Sequence, residues 1–103
     1  MKFVACMVEI FGPRLADGDR AASYRLEYIN PAAAAGIEMV FDFRGITNAN
    51  SSFINALLTA LFEERGGEIL DRIEFVGCRP AVRVLVESAI ALGLQKAAES
   101  AQA

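Results

Sequence analysis

Short apolar runs alternating with amphipathic stretches predict a small α/β domain of order β-α-β-α-β-α, with a mainly parallel sheet of three to four strands. Three observations carry this reading. Bulky apolar runs stand at residues 2–10, 37–43 and 71–76. Each is followed by a segment whose apolar residues recur at helical spacing. Gly and Pro residues punctuate most of the joints, and strands separated by helices pair parallel with right-handed crossovers.

In residues 2–10 (KFVACMVEI), Phe3, Ala5, Met7 and Glu9 share one face, and Val4, Cys6, Val8 and Ile10 share the other. The second set is uniformly apolar and is expected to face the core. Phe11-Gly12-Pro13 ends the strand. Asp17-Gly18-Asp19 reads as a helix start, with Asp17 or Asp19 as the cap. The helix at 20–29 is expected to bury Ala21, Ala22, Leu26 and Ile29, with Tyr24 or Tyr28 beside them, and packing against the sheet is favoured over a recognition role for the tyrosine pair. Asn30-Pro31 is expected to interrupt it, Asn30 capping a short second turn that Gly36 ends.

The run at 37–43, bounded by Gly36 and Gly45, fits a strand covered on both faces. Asp42 lies near its C-terminal end, where α/β sheets meet ligands and partners. The turn at 45–52 is the one place where several polar side chains gather between two strongly apolar elements. In the helix at 52–64, Phe53, Leu57 and Leu61 form one row and Ile54, Leu58 and Phe62 the next, opposite a polar stripe of Ser52, Asn55, Thr59 and Glu63. Asn50, Ser51 or Ser52 can cap that helix, and Gly66 can close it in the left-handed conformation.

Residues 71–76 set Ile73 and Phe75 against Arg72, Glu74 and Val76, the pattern of a strand nearer the sheet edge. Pro80 opens a last helix to about residue 92, with an apolar stripe of Val82, Leu85, Val86, Ala89 and Ile90, and Gly93 is its expected stop. Residues 1–94 therefore read as a single domain, and 95–103 as a helical extension or frayed tail.

Hydrophobic residues make up 54% of the chain and the mean hydropathy is +0.35, values raised by alanine. No apolar run reaches the roughly 18 residues that span a bilayer, so no membrane association is expected. Glu9 interrupts the N-terminal apolar run, which leaves no signal peptide and makes the cytoplasm the expected compartment. A net charge of −3 without a basic cluster argues against a nucleic-acid partner. The absence of histidine excludes His-based triads. Cys6 and Cys78 read as reduced thiols, too few for a metal site. Phosphate-binding glycine motifs are missing as well, and neither a cofactor nor an enzymatic activity is expected. Asp42 lacks the early acidic pair and late lysine that an aspartyl-phosphate site needs.

Four segments occur in a telling order: Phe11-Gly12-Pro13-Arg14-Leu15, Arg20-Ala21-Ala22, Val40-Phe41-Asp42-Phe43-Arg44-Gly45-Ile46 and Ser52-Phe53. Over roughly residues 8–93 the chain thereby resembles the STAS-like family DUF4325, related to the STAS domains of bacterial anti-sigma factor antagonists. The resemblance implies a STAS-like fold with helices mainly on one side of the sheet. It also implies a regulatory protein-interaction module whose partner is a regulatory ATPase or serine kinase of the anti-sigma type. Laid on the family's phosphorylated turn, Asn50-Ser51-Ser52-Phe53 places the phospho-acceptor at Ser51, with Ser52 as the second candidate. The partner would meet Asn48, Asn50, Ser51, Ser52, Asn55 and Thr59. Two other readings stand beside this one. The first is a small-ligand-binding domain or enzyme with a pocket near Asp42 and Thr47; the second is a homodimeric scaffold that buries the open sheet face.

Overall fold

The computed structural model describes residues 1–102, with side chains through residue 100. In chain order its elements are β1 (Lys2–Cys6), α1 (Met7–Phe11), β2 (Arg14–Leu15), α2 (Gly18–Tyr24), a π-helical segment (Arg25–Ile29) and α3 (Asn30–Ala34). They continue with β3 (Glu38–Asp42), β4 (Asn48–Ala49), α4 (Ser51–Arg65), a 3-10 stretch (Gly67–Arg72), β5 (Ile73–Val76) and α5 (Pro80–Gln102). The main sheet is parallel, in the order β1-β3-β5. Its register aligns Phe3 with Met39 and Ile73, and Ala5 with Phe41 and Phe75. A second, two-stranded parallel sheet joins β2 to β4. The result is the expected mixed α/β domain with a small parallel sheet.

The hydrophobic core lies against one face of that sheet. Ala5, Met7, Met39, Phe41 and Phe43 are buried there, and Phe41 stacks on Phe75 at 5.5 Å. The opposite face presents Lys2, Val4, Cys6, Glu38, Val40, Glu74 and Val76, of which Val4 is 58% exposed. Two expectations are corrected here. The buried side chains of the stretch 2–10 are Ala5 of β1 and Met7 at the head of α1, not Val4, Cys6, Val8 and Ile10. Its strand ends at Cys6, so Val8 and Ile10 sit on a helix and drop out of the alternation. Within 2–6, Lys2 marks the wet face. The second correction concerns β3, which is central but covered on one face alone, with Glu38 marking the open side.

Asp17 caps α2 as expected, its Oδ1 accepting the N–H groups of Asp19 (3.0 Å) and Arg20 (3.3 Å). Asn30-Pro31 does not interrupt the helical run, contrary to expectation. Asn30 keeps α dihedrals and its N–H reaches back to the Arg25 carbonyl, five residues away. Pro31 brings no N–H, and its ring would crowd the carbonyl four residues back in a regular α-helix. The wider π turn absorbs both problems. It also turns Leu26 outward, to 60% exposure, while Ile29 stays buried. Arg25 anchors the segment by donating from Nε to the Ala56 carbonyl of α4 at 2.9 Å.

Both predicted apolar rows of α4 are buried, from Phe53 to Phe62, and Gly66 closes the helix at φ 71°. α5 begins at Pro80 but runs through Gly93 to Gln102, so Gly93 is not a stop. It lies at the crossing of α4 and α5, where a Cβ would stand 2.5 Å from the Thr59 carbonyl oxygen. Residues 95–102 extend α5. Among the described residues, no helix is long and apolar enough to cross a membrane.

Candidate functional site

β3 delivers Asp42 to the C-terminal edge of the sheet, and the chain then turns through Gly45 into α4. The Asp42 carboxylate is already engaged. It accepts the Arg44 backbone N–H at 3.0 Å and forms a two-pronged pair with the Arg44 guanidinium, at 2.7 Å for Nη2 and Oδ2. The side-chain hydrogen bonds to Arg44, then the backbone one, hold the Asp42 carboxyl at about 2, against an ordinary 3.8. Because the folded value is depressed, the stabilisation is present above pH 3.8 and is lost as pH falls through about 2. Asp42→Asn is accordingly expected to lower the melting temperature at neutral pH, with the gap to wild type closing as a pH series descends from 3.8 toward 2. A gap that stayed constant to pH 2 would assign the role of Asp42 to its shape and not its charge.

The turn beyond is sewn to the segment that follows α1. The N–H groups of Thr47 and Asn48 both point at the Pro13 carbonyl, Thr47 Oγ1 donates to the same oxygen at 3.1 Å, and the Asn50 N–H reaches Leu15. Ile46 is buried as the anchor of the turn. Asn50 works at both ends of its side chain. Oδ1 accepts the Phe53 N–H at 2.8 Å and caps α4, while Nδ2 donates to the Ala16 carbonyl at 3.2 Å.

Asn50, then, caps the helix, and neither serine does. Ser51 and Ser52 occupy the first two helical positions with exposed side chains. They stand where free N–H groups and the positive end of the helix dipole favour a negative charge. Ser52 shares a shallow hollow with Ala16, Asp17, Gly18 and Asp19, and its carbonyl oxygen lies 3.3 Å from where a Gly18 Cβ would be. Asn48 is exposed and Asn55 is half-buried one turn into α4.

Thr59 departs from this group. It is 7% exposed, and its hydroxyl lies 3.3 Å from both the Ala89 carbonyl of α5 and Asn55 Oδ1. The polar stripe of α4 passes beneath α5 at Thr59 and is exposed again at Glu63, which helical spacing within α4 alone does not reveal. Thr59 is therefore a helix-packing residue and not a surface one. The Asp42 carboxylate is engaged by Arg44 and the Thr47 hydroxyl by the Pro13 carbonyl. The contributions of Pro13, Ala16, Asp17 and Asp19 to the site carried no sequence signal, since they reach it across more than thirty residues of chain. Among the described residues, no three of Cys, Asp and Glu gather as metal ligands.

The family described as a STAS-like domain of unknown function (DUF4325) matches residues 22–83. That span contains β3, the turn, all of α4 and β5. No curated protein and no solved structure matches the chain. The family match covers more than half the chain and includes the strand, turn and helix around Ser51, and on that ground the chain belongs to the DUF4325 family of STAS-like domains.

Proposed function

We propose that this chain is a regulatory protein-interaction module of the anti-sigma antagonist type, switched by phosphorylation of Ser51. The observation that carries the reading is the division of labour at the start of α4: Asn50 takes the cap, which frees both serine hydroxyls for another use. Ser51 is favoured over Ser52 because a phosphate on Ser52 would share its hollow with Asp17 and Asp19 and be repelled. A phosphate on Ser51 faces solvent beside the first-turn amides, adding roughly −1.5 to −2 charge to a partner-facing surface. Asn48, Asn50, Ser51, Ser52 and Asn55 form that surface, and Thr59 is left out of it. The partner is a regulatory ATPase or serine kinase of the anti-sigma type, and the chain itself performs no catalysis in this scheme.

Intact mass of the protein from its native host, before and after phosphatase, tests the switch. One removable phosphate is expected, absent from Ser51→Ala and kept in Ser52→Ala. An unmodified mass across growth conditions would overturn it. Ser51→Asp is expected to weaken the partner complex roughly tenfold or more, as like charge across an interface does. The same change should leave the melting temperature equal or slightly higher, because an acid in the first turn of a helix is stabilising. A drop in melting temperature would trace the lost affinity to damage of the fold.

A second reading rests on exposed Val4 with half-buried Cys6, Val40 and Val76 on the open sheet face. Three short strands present only about 300 Å² there, well under the roughly 800 Å² per partner of a stable interface. Light scattering that returned a tight dimer would nevertheless revive the scaffold reading.

A further inference from the structure

β5 forms one edge of the main sheet, with β3 as its ladder partner. The Val76 carbonyl accepts the Phe43 N–H inside that ladder. Backbone groups alternate sides along a strand, so Phe75 turns its N–H and C=O away from β3, toward the open edge. The N–H of Ile73 is taken by the Leu70 carbonyl. Phe75 thus offers one rung for another strand.

Beside this rung lies a groove of about 280 Å³ between β5 and α5, lined by Phe75, Cys78, Arg83, Val86, Glu87 and Ile90. Beyond the groove α5 packs on α4, meeting it closely at Gly93. Its floor is apolar, from Phe75, Val86 and Ile90. Its end, where β5 gives way to α5, is cationic. Arg79 immediately precedes α5, Arg83 lines the groove, and the first turn of α5 carries no acid. Glu87 meets Arg83 at 3.3 Å and offsets its charge, so the excess positive charge at this end is that of Arg79, although the exposed Arg83 guanidinium keeps further N–H donors. Arg44, by contrast, is neutralised by Asp42. A net positive end on a chain of net charge −3 is a local departure that favours a carboxylate.

We propose that this groove binds the free C-terminal tail of another protein as an added strand. The tail runs parallel to β5, so that its terminal carboxylate arrives at Arg79 and Arg83. One apolar side chain enters the pocket of Phe75, Val86 and Ile90, and the tail backbone fills the rung at Phe75. Main-chain bonds supply affinity, while the pocket and the carboxylate supply selectivity. This surface is independent of the Ser51 switch and shares no residue with it.

The probe is an N-acetylated hexapeptide of alternating threonine and valine with a free C-terminal carboxylate, compared with its C-terminal amide. It is titrated into the full chain labelled with nitrogen-15. The acid form is expected to shift the Phe75 amide saturably and slow its hydrogen exchange. The amide form should bind roughly tenfold more weakly, the scale of one charge-assisted hydrogen bond. Arg83→Glu, at a side chain 73% exposed, should erase that difference without changing the melting temperature. Three results would overturn the proposal: an unperturbed Phe75 amide, equal binding of acid and amide peptides (an internal strand as occupant), or protection of Phe75 that rises with protein concentration alone (a second copy as occupant).

Discussion

Gly93→Ala is expected to destabilise the domain by about 2–3 kcal/mol, the upper part of the usual cost of overpacking a tight interior. The sign is the informative part. In an ordinary helix interior this substitution stabilises by roughly 1 kcal/mol, because alanine is the better helix former. At Gly93 the new methyl would stand 2.5 Å from the Thr59 carbonyl oxygen, 2.8 Å from Phe62 Cβ and 3.2 Å from the Glu63 nitrogen. Two of those atoms belong to the α4 backbone and cannot swing aside. The helices must separate, which also strains the contact between Thr59 and the Ala89 carbonyl. For a domain of this size each kcal/mol moves the melting temperature by roughly 4–8 °C, so a fall of about 10 °C or more should appear in a thermal melt. A rise in melting temperature would show that α4 and α5 do not cross this closely.

Phe41→Ala is expected to be the more damaging of the two, at about 3–5 kcal/mol, the usual range for emptying a buried phenylalanine site. Phe41 is fully buried on the central strand, aligned with Ala5 on one side and Phe75 on the other. Neither neighbouring strand can close over the space without breaking its register. A loss of this size is a large share of the roughly 5–15 kcal/mol that stabilises a domain. Urea denaturation should show the midpoint falling sharply at unchanged slope. Val4→Thr serves as the control: it lies on the open face and should change stability by less than about 0.5 kcal/mol. Equal losses at the two positions would mean that both faces of the sheet are covered.

Signals that were legible in the sequence were local ones. Asp17 before a helical run, Gly66 after one and Pro80 at the head of another each set a boundary through its own backbone chemistry, and each boundary stands where it was expected. The two apolar rows of α4 were equally plain, since helical spacing is a property of the segment alone. What escaped depends on parts of the chain that meet only after folding. β2 and β4 are two residues each, too short for any periodicity, and they exist because Thr47 and Asn48 share the Pro13 carbonyl. Gly93 looked like a terminator because glycine usually is one near a helix end; its use at a crossing shows only against Thr59. Thr59 likewise looked like surface until α5 covered it. The core of the site, Asn50-Ser51-Ser52, was identifiable from the sequence as three cap candidates, but which of them did the capping was settled by geometry.

The π-helical segment Arg25–Ile29 carries a consequence for how this family member can vary in length. A π turn closes its hydrogen-bonded ring over one residue more than an α turn does. In a plain α-helix that surplus residue would rotate everything downstream by about 100°. Ala21 lies upstream and Ala32 and Ala33 lie downstream, and all three are buried. The segment acts as a phase keeper, taking up one residue while Ala21 on one side and Ala32 and Ala33 on the other stay on the same core. Deleting a single residue there would turn the π turn into a plain α turn and leave Ala32 and Ala33 facing β3 as before. Length in this region can therefore change by one residue at the least cost to the packing on either side, although nothing catalytic or conspicuous stands there.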